Sequence, residues 1–298
     1  MALSSRGAAE GFTGERVGAA RTGGFARIIL LASRTRRPED RVMKRFLSRP
    51  LAALLLFAAA GCANLNLYSE AEEAQLGVQA YAEETGKYAL IDRGPQYDMV
   101  QRVGRKIAAA SGKNYEWEFK LLKADDVVNA FCLPGGKVAV YTGILPLTQN
   151  ENGLAAVIGH EVAHATLRHG GKRMTQGTLM QAAMAAIGAG LQFTEMGPEA
   201  KQGVMAAFGV GAQVGVLLPY SRGHESEADE VGIRYAIRAG YDPHEAVRLW
   251  ERMAKLGSGG PEWLSTHPDS MRRAHDLETK IPQILAEEGH SAPKTGKP

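Results

Sequence analysis

The sequence predicts an α+β fold that is mainly helical, with a small β-sheet beside one central helix. Apolar residues recur at helical spacing in several segments that begin at capping residues. Between them, residues 115–142 form short alternating or apolar runs, which are typical of strands. The 298 residues are 45% hydrophobic and 22% charged, which suits one core with appendages and excludes collagen-like, disordered and polytopic membrane proteins.

The first 61 residues are interpreted as a leader that precedes the folded domain. Residues 43–61 combine a short cationic stretch, ten apolar residues and small residues, which is the layout of a secretory signal. Ten residues make a helix of about 15 Å, half of a bilayer core, so a permanent membrane span is the weaker interpretation. Residues 1–42 precede a Met that begins a complete signal, and we interpret them as a non-structural upstream extension. An Arg-rich organellar transit peptide is the alternative.

The segment Ala59 to Cys62 resembles a bacterial lipobox, in which Cys62 becomes lipidated and the chain is cut before it. Several acyl chains on one residue would anchor the protein stably to a membrane, with residues 62–68 as a tether. We therefore expect a location in the bacterial cell envelope, facing the periplasm, with the outer membrane as the anchoring surface. A plain signal peptide and a buried apolar helix are the alternatives.

The charge of the remaining chain argues against a nucleic-acid partner. Residues 62–298 hold 24 basic and 28 acidic residues, whereas phosphates favour a dense basic patch. Two cysteines, Cys62 and Cys132, permit at most one disulfide, so this is no disulfide-framework protein. Cys132 is expected to be a buried apolar thiol.

The first half of the domain opens with a capping box at Ser69, which starts a helix. A second helical pattern has Val100, Val103 and Ile107 on its apolar face. Two short strand regions follow. The stretch from Tyr115 to Leu122 alternates, and the stretch from Val127 to Thr142 predicts two strands separated by Pro134, Gly135 and Gly136.

The second half is predicted to be helical. A capping box from Thr148 to Glu151 starts a helix expected to end near Gly170, with Gly153 softening its first turn. The Ala-, Gly- and Met-rich stretch from Met174 to Leu218 is interpreted as a core helical hairpin, with a membrane-dipping segment as the alternative. Later elements are helices at 225–240 and after Asp242, a loop at 257–266, a final helix and a polar tail at 289–298.

The strongest predicted helix carries two histidines four residues apart, His160 and His164. At this spacing both imidazoles project from one face and can bind a single metal ion. Glu161 lies beside them as a candidate base. Catalytic zinc requires three protein ligands and an open position, so a third ligand is needed.

The third ligand comes from elsewhere, because the metzincin spacing fails at Leu167 and Gly170. Glu225 and Asp229 share a helical face, so we predict that Glu225 binds zinc and that Asp229 orients a ligating histidine through a hydrogen bond. His224 and Glu227 point away from that face. His169 is expected to be a helix-end cation near terminal carbonyls.

Several short motifs follow one another in the order found in one peptidase family. They are Asn129 to Gly136, His160 to His164, Arg168-His169, Glu225 to Gly232, and Thr266 to Pro268 with Arg273. Together they resemble the HtpX and CAAX-prenyl-protease family of zinc metallopeptidases, a gluzincin group, over about residues 70–285. The resemblance is to small periplasmic lipoprotein members without an added repeat domain, and it implies a zincin-like metallopeptidase domain at 69–288.

The resemblance implies a zinc-dependent endopeptidase that cleaves unfolded or damaged membrane and envelope proteins. Zn²⁺ held by His160, His164 and Glu225 would activate a water whose proton Glu161 accepts. A non-catalytic envelope chaperone that retains the peptidase fold is the alternative. The resemblance also implies that His267 can take the fourth zinc position and hold the resting enzyme inactive, and that Arg273 then meets the developing oxyanion. A solvent-exposed loop histidine is the alternative for His267.

Overall fold

The computed structural model of the chain describes residues 65–213, 217–256, 267 and 270–289. The helices are α1 (Glu70–Thr85), α2 (Pro95–Ser111), α3 (Leu145–Thr148), α4 (Glu151–Thr166), α5 (His169–Gln192), α6 (Pro198–Ala212), α7 (Leu218–Arg238), α8 (His244–Ala254) and α9 (Ser270–Glu287). The strands are β1 (Ala89–Ile91), β2 (Glu118–Lys123), β3 (Ala130–Leu133) and β4 (Lys137–Tyr141). The predicted leader, the lipidation of Cys62 and the loop at 257–266 lie outside the described residues and stay predictions.

The four strands form one sheet with the order β1-β2-β4-β3. β1 is antiparallel to β2, β2 is parallel to β4, and β3 and β4 form the expected hairpin. The turn of that hairpin uses Gly135 and Gly136 at φ +82° and +87°, a conformation that glycine adopts at little cost. β1 and β3 are therefore the two edge strands among the described strands.

The central helix α4 is buried along most of its length. Leu154, Val157, Ile158 and Val162 have no exposed surface, and the helix packs against α2, β3, α7 and α8. A helix buried on several sides has apolar residues all round, as this one does. The predicted fold class, mainly helical α+β with a small sheet beside this helix, is confirmed.

The ends of α4 differ from the prediction. Asn150 is the N-cap, since its side chain accepts from the backbone N–H groups of residues 152 and 153. The helix ends at Thr166, because Arg168 takes the left-handed conformation at φ +59° and turns the chain into α5. Gly153 in the first turn of α4 has a steric reason. A Cβ there would lie 2.0 Å from the carbonyl oxygen of Thr148, so this close approach requires glycine.

Helices α5 and α6 form the predicted hairpin, but they do not form a core. The buried residues of α5 are His169, Gly171 and Thr175, all near its start, and α6 buries only Ala212. Phe193, between the two helices, is 91% exposed. Among the described helices, none is both long and apolar enough to cross a membrane.

Candidate metal centre

Helices α4 and α7 cross in direct backbone contact beside the predicted metal ligands. A Cβ on Gly232 of α7 would lie 2.8 Å from the backbone nitrogen of His160 on α4. Glycine on both helices therefore permits an approach that larger residues would prevent. This contact brings His160 and His164 of α4 to the same place as Glu225 and the rest of α7.

Four buried side chains meet there: His160, His164, Glu225 and His267. The Nε2 atoms of His160 and His164 are 3.1 Å apart, and His267 Nδ1 lies 3.2 Å from His160 Nε2. The Glu225 carboxylate lies 3.3 Å from His160 Nε2, 3.4 Å from His164 Nε2 and 2.8 Å from His267 Nδ1. Three imidazoles and one carboxylate thus converge on one point.

The donor set fits zinc. Ligands about 2.0–2.1 Å from a tetrahedral zinc ion are separated by about 3.3–3.4 Å, close to most of the separations found here. Nitrogen donors with one carboxylate are also the ligand types that zinc accepts. A buried carboxylate among three imidazoles is a costly arrangement that a bound cation explains. His160, His164, Glu225 and His267 would therefore hold the ion.

Asp229 and Arg273 lie behind His160. Asp229 Oδ1 is 3.1 Å from His160 Nδ1, so the carboxylate can accept the proton of the nitrogen that does not face the metal. Arg273 donates from Nε and Nη2 to the two oxygens of Asp229 at 2.7 and 2.5 Å. Its Nη1 lies 3.0 Å from Glu225, and its guanidinium carbon lies 3.5 Å from the centre of the Trp250 ring.

The structure places Arg273 against the metal ligands and Asp229, and the oxyanion contact predicted for it stays a prediction. Its side chain is 1% exposed and its donors face Asp229 and Glu225, while Nη2 also lies 3.1 and 3.2 Å from the two ring nitrogens of His160. A guanidinium held by two carboxylates and covered by an indole ring balances charge behind the ligands.

The electrostatics of the centre follow from burial opposed by hydrogen bonds. Burial would raise the pKa of Glu225, but hydrogen bonds with the three ligand histidines hold it well below its usual range. Burial would also raise the pKa of Asp229, and the charge and hydrogen bonds of Arg273 lower it to about 2. Burial lowers the pKa of His164 to about 4. Both carboxylates are thus ionised and His164 is neutral at pH 7, the states that metal ligation and its support require.

Glu161 lies on the other side of His267. Glu161 Oε1 is 3.4 Å from His267 Nε2, while His267 Nδ1 faces the other ligands. His267 is 7% exposed, so it is not the solvent-exposed loop histidine of the alternative interpretation. It lies between the candidate base and the other metal ligands.

His169 differs from its prediction. It is fully buried, and burial together with the neighbouring His164 and His224 lowers its pKa far below the ordinary value, so it is a neutral imidazole and not a helix-end cation. Its Nδ1 lies 3.0 Å from His164 Nδ1, and its Nε2 lies 3.2 Å from Glu227 Oε2. Glu227, which the sequence places off the metal-binding face, is therefore connected to the metal ligand His164 through His169.

Sequence reasoning missed the positioning roles of Gly159, Gly232, His169 and Trp250. The glycine pair had a detectable signal, because glycine inside a helix lowers its stability by about 1 kcal/mol and is retained where backbones approach closely. His169 had the weaker signal of a third histidine shortly after the pair. Trp250 had none, since its contact with Arg273 joins two distant helices.

Comparison with known proteins identifies the family. The sequence model that represents peptidase family M48 matches residues 96–281, more than half of the chain. The chain belongs to peptidase family M48. This membership confirms the resemblance found in the sequence and the prediction of a zinc-dependent metalloendopeptidase, and the four-residue group is consistent with its zinc.

Three relatives illustrate the similarity. The mitochondrial metalloendopeptidase OMA1 of Schizosaccharomyces pombe is 36% identical over 218 residues, 71% of this chain and 61% of the relative. OMA1 of Arabidopsis thaliana is 36% identical over 159 residues, 53% of this chain and 30% of the relative. The beta-barrel assembly-enhancing protease of Yersinia pestis is 30% identical over 184 residues, 60% of this chain and 37% of the relative. The chain thus spans less than two thirds of each relative.

These comparisons contradict the predicted location. A lipid-anchored protein at the bacterial outer membrane was expected from the segment 59–62. The two mitochondrial relatives are more similar to this chain than the Yersinia protein is, at 36% against 30% identity. The prediction of a bacterial envelope location is therefore wrong.

Proposed function

We propose that this M48 metallopeptidase cleaves internal peptide bonds of unfolded or misfolded polypeptides. The observation that carries the proposal is the position of Glu161, a buried carboxylate 3.4 Å from one of the four converging metal ligands and near Cys132 of the edge strand β3. A base, a metal site and an edge for backbone pairing are the parts that peptide hydrolysis needs.

Bound zinc would supply the Lewis acidity that polarises the scissile carbonyl and makes water a nucleophile near neutral pH. Glu161 takes the proton from that water and passes it to the leaving amine. Asp229 holds the ring of His160 through its Nδ1, and Arg273 holds Asp229 in turn. With its ring fixed by such contacts, His160 needs no rearrangement when charge develops on the substrate.

Strand β3 gives a physical basis for a preference for unfolded chains. Among the described strands it is one of the two edge strands of the sheet, and it packs against α4. Burial raises the pKa of its Cys132 thiol, and the nearby Glu161 carboxylate raises it further. An extended segment that added to β3 would make main-chain hydrogen bonds and run past Glu161. Folded proteins rarely expose such a segment, whereas unfolded ones do.

The test uses one disulfide-containing test protein in its native state and in its reduced, alkylated and unfolded state. We expect zinc-loaded enzyme to cut the unfolded form at several internal sites, at least about tenfold faster than the native form, with fragments identified by mass spectrometry. Equal rates on both forms would overturn the preference for unfolded chains. Binding of the unfolded form without cleavage would overturn the peptidase proposal in favour of the chaperone alternative.

A further inference from the structure

We propose that His169 and Glu227 form a positioning relay that fixes the tautomer and the ring orientation of the metal ligand His164. The relay consists of three side chains in a row, His164, His169 and Glu227. The inference rests on metal binding by His164, which the proposed function also needs. Neither His169 nor Glu227 is expected to contact the substrate, so both are positioning residues.

The geometry places the relay opposite the metal. His164 directs Nε2 toward the ligand group, 3.4 Å from Glu225 Oε1 and 3.1 Å from His160 Nε2. Its other nitrogen, Nδ1, lies 3.0 Å from His169 Nδ1. The far nitrogen of His169, Nε2, lies 3.2 Å from Glu227 Oε2. The contacts join the start of α5 and the middle of α7 to α4.

Proton placement gives the relay one direction. To bind a metal, His164 Nε2 needs a free lone pair, so the ring proton of neutral His164 must be on Nδ1. That N–H can only point at His169 Nδ1, which must therefore be an acceptor. The proton of neutral His169 is then on Nε2, where it donates to the Glu227 carboxylate. With its proton on Nδ1 instead, His169 would direct the lone pair of Nε2 at the Glu227 carboxylate. The metal at one end and Glu227 at the other therefore favour the same pair of tautomers.

The surroundings keep His169 in this orientation. The ring of His224 stacks on it with centroids 3.8 Å apart and planes 13° apart, and His169 is fully buried. Arg168, in the left-handed conformation, turns the chain so that His169 begins α5 against His164. Arg168 is itself held by Glu73, at 2.9 Å. The ring is thus restrained by the backbone, by a stacked neighbour and by its two hydrogen bonds.

Partners that hold the second nitrogen of a metal-binding histidine change metal affinity or activity by about 10- to 100-fold when removed. Asp229 holds the second nitrogen of His160 directly. For His164 the equivalent carboxylate, Glu227, acts through a second imidazole. The two ligand histidines of α4 are therefore supported by different means, one by a carboxylate and one by a histidine followed by a carboxylate.

The first experiment compares His169→Phe, which keeps the ring and removes the acceptor, with His169→Asn, whose Oδ1 can replace the acceptor Nδ1. His275→Phe, at an exposed histidine on α9, is the control. Zinc affinity is measured by competition with a chromophoric chelator, and the visible spectrum of the Co²⁺-substituted protein reports the ligand geometry. We expect His169→Phe to weaken zinc binding about 10- to 100-fold and to change the Co²⁺ bands. His169→Asn should recover most of the loss, and the control should match wild type.

The second experiment acts at Glu227, whose side chain is 48% exposed, so that substitution there leaves the folded protein intact. Glu227→Gln keeps an acceptor oxygen and should weaken zinc binding about threefold or less, because solvent screens an exposed charge. Glu227→Leu removes the acceptor and should weaken it further and shift the Co²⁺ bands toward those of His169→Phe. Circular dichroism of the metal-free variants confirms folding.

Wild-type zinc affinity and unchanged Co²⁺ spectra in both His169→Phe and Glu227→Leu would overturn the relay. Equal losses in His169→Asn and His169→Phe would also overturn it, because only packing would then matter. These measurements do not involve peptide cleavage. Failure of the relay with normal proteolysis is therefore distinguishable from failure of the proposed function, in which zinc binds normally and no peptide is cut.

Discussion

Gly159 and Gly232 bring the backbones of α4 and α7 into contact next to the metal ligands. A Cβ on Gly159 would lie 2.8 Å from the carbonyl oxygen of Gly232, a separation that real Cβ atoms do not show. Gly159 directly precedes His160, while Glu225 lies two helical turns before Gly232. The spacing of the two helices therefore determines whether the histidines and the carboxylate can share one ion.

Gly232→Ala is expected to push the two helices apart. The added methyl group meets backbone atoms that cannot rotate away, so we expect a loss of about 1–3 kcal/mol in the free energy of unfolding, together with weaker zinc binding. Gly223→Ala on the same helix, where a Cβ meets nothing within 4 Å, should be neutral or slightly stabilising. Chemical denaturation and chelator competition measure both effects. Similar behaviour of the two variants would contradict the close-contact account.

Arg273 is expected to be essential for the stability of the metal-free protein. Arg273→Gln removes the guanidinium that pairs with the buried carboxylates of Asp229 and Glu225, and removing one partner of a buried ion pair costs about 3–5 kcal/mol. Arg272→Gln is the control, because Arg272 is 45% exposed and pairs weakly with Asp276. Urea denaturation after metal removal makes the comparison. A loss no larger than that of the control would disagree with the charge-balancing role.

Zinc binding is expected to release a proton from His160. Burial and the charge of Arg273 lower the pKa of His160, but hydrogen bonds with Asp229 and Glu225 outweigh them and raise it from 6.5 to about 9. His160 is therefore protonated in the metal-free protein at pH 7. Calorimetric titration of zinc in buffers with different ionisation enthalpies should show about one proton released at pH 7 and progressively fewer above pH 9.

The raised pKa of His160 also makes the stability of the metal-free protein depend on pH. Because the folded pKa is above the unfolded one, the stabilisation from protonated His160 is fully present below pH 6.5 and is lost as the pH rises through 9. Metal-free protein should thus unfold more easily at pH 9 than at pH 6.5, while zinc affinity rises over that range. The absence of proton release at pH 7 would show that His160 is neutral before metal binds.

His267 is expected to restrain the resting enzyme. It lies between Glu161 and the other ligands, at 3.4 Å from Glu161 Oε1, so it occupies space that a water and a substrate carbonyl need. His267→Ala should hydrolyse an unfolded substrate severalfold faster than wild type, with zinc retained by the three remaining ligands. Single-turnover kinetics and metal analysis check this. Unchanged turnover in a variant that keeps its zinc would exclude the restraint.

Local patterns in the sequence were sufficient for the helix that carries the site. The apolar spacing around His160 and His164 and the capping residues before Glu151 predict a helix, and both histidines lie inside it. The hairpin of β3 and β4 follows from two apolar runs joined by Pro134 and two glycines. These features depend on neighbours in the chain, which a sequence displays directly.

The remaining features depend on contacts between distant segments. The end of α4 is set by Arg168 in a left-handed conformation, which is uncommon for a non-glycine residue, and Arg168 pairs with the distant Glu73. The burial of His267 and the stacking of Arg273 on Trp250 join α8 and α9 to the centre. The exposure of the hairpin of α5 and α6 also could not be predicted from the sequence, because small apolar residues are compatible with a buried and with an exposed position.

The most direct test of the central claim compares zinc-loaded wild type with Glu161→Gln on one unfolded, reduced and alkylated test protein, with the metal content of both determined beforehand. The amide keeps the size of the side chain but cannot accept the water's proton, and Glu161 is not among the four converging metal ligands. The account predicts equal zinc content and a loss of at least about a hundredfold in cleavage rate. Equal cleavage by the two proteins at equal zinc content would contradict it.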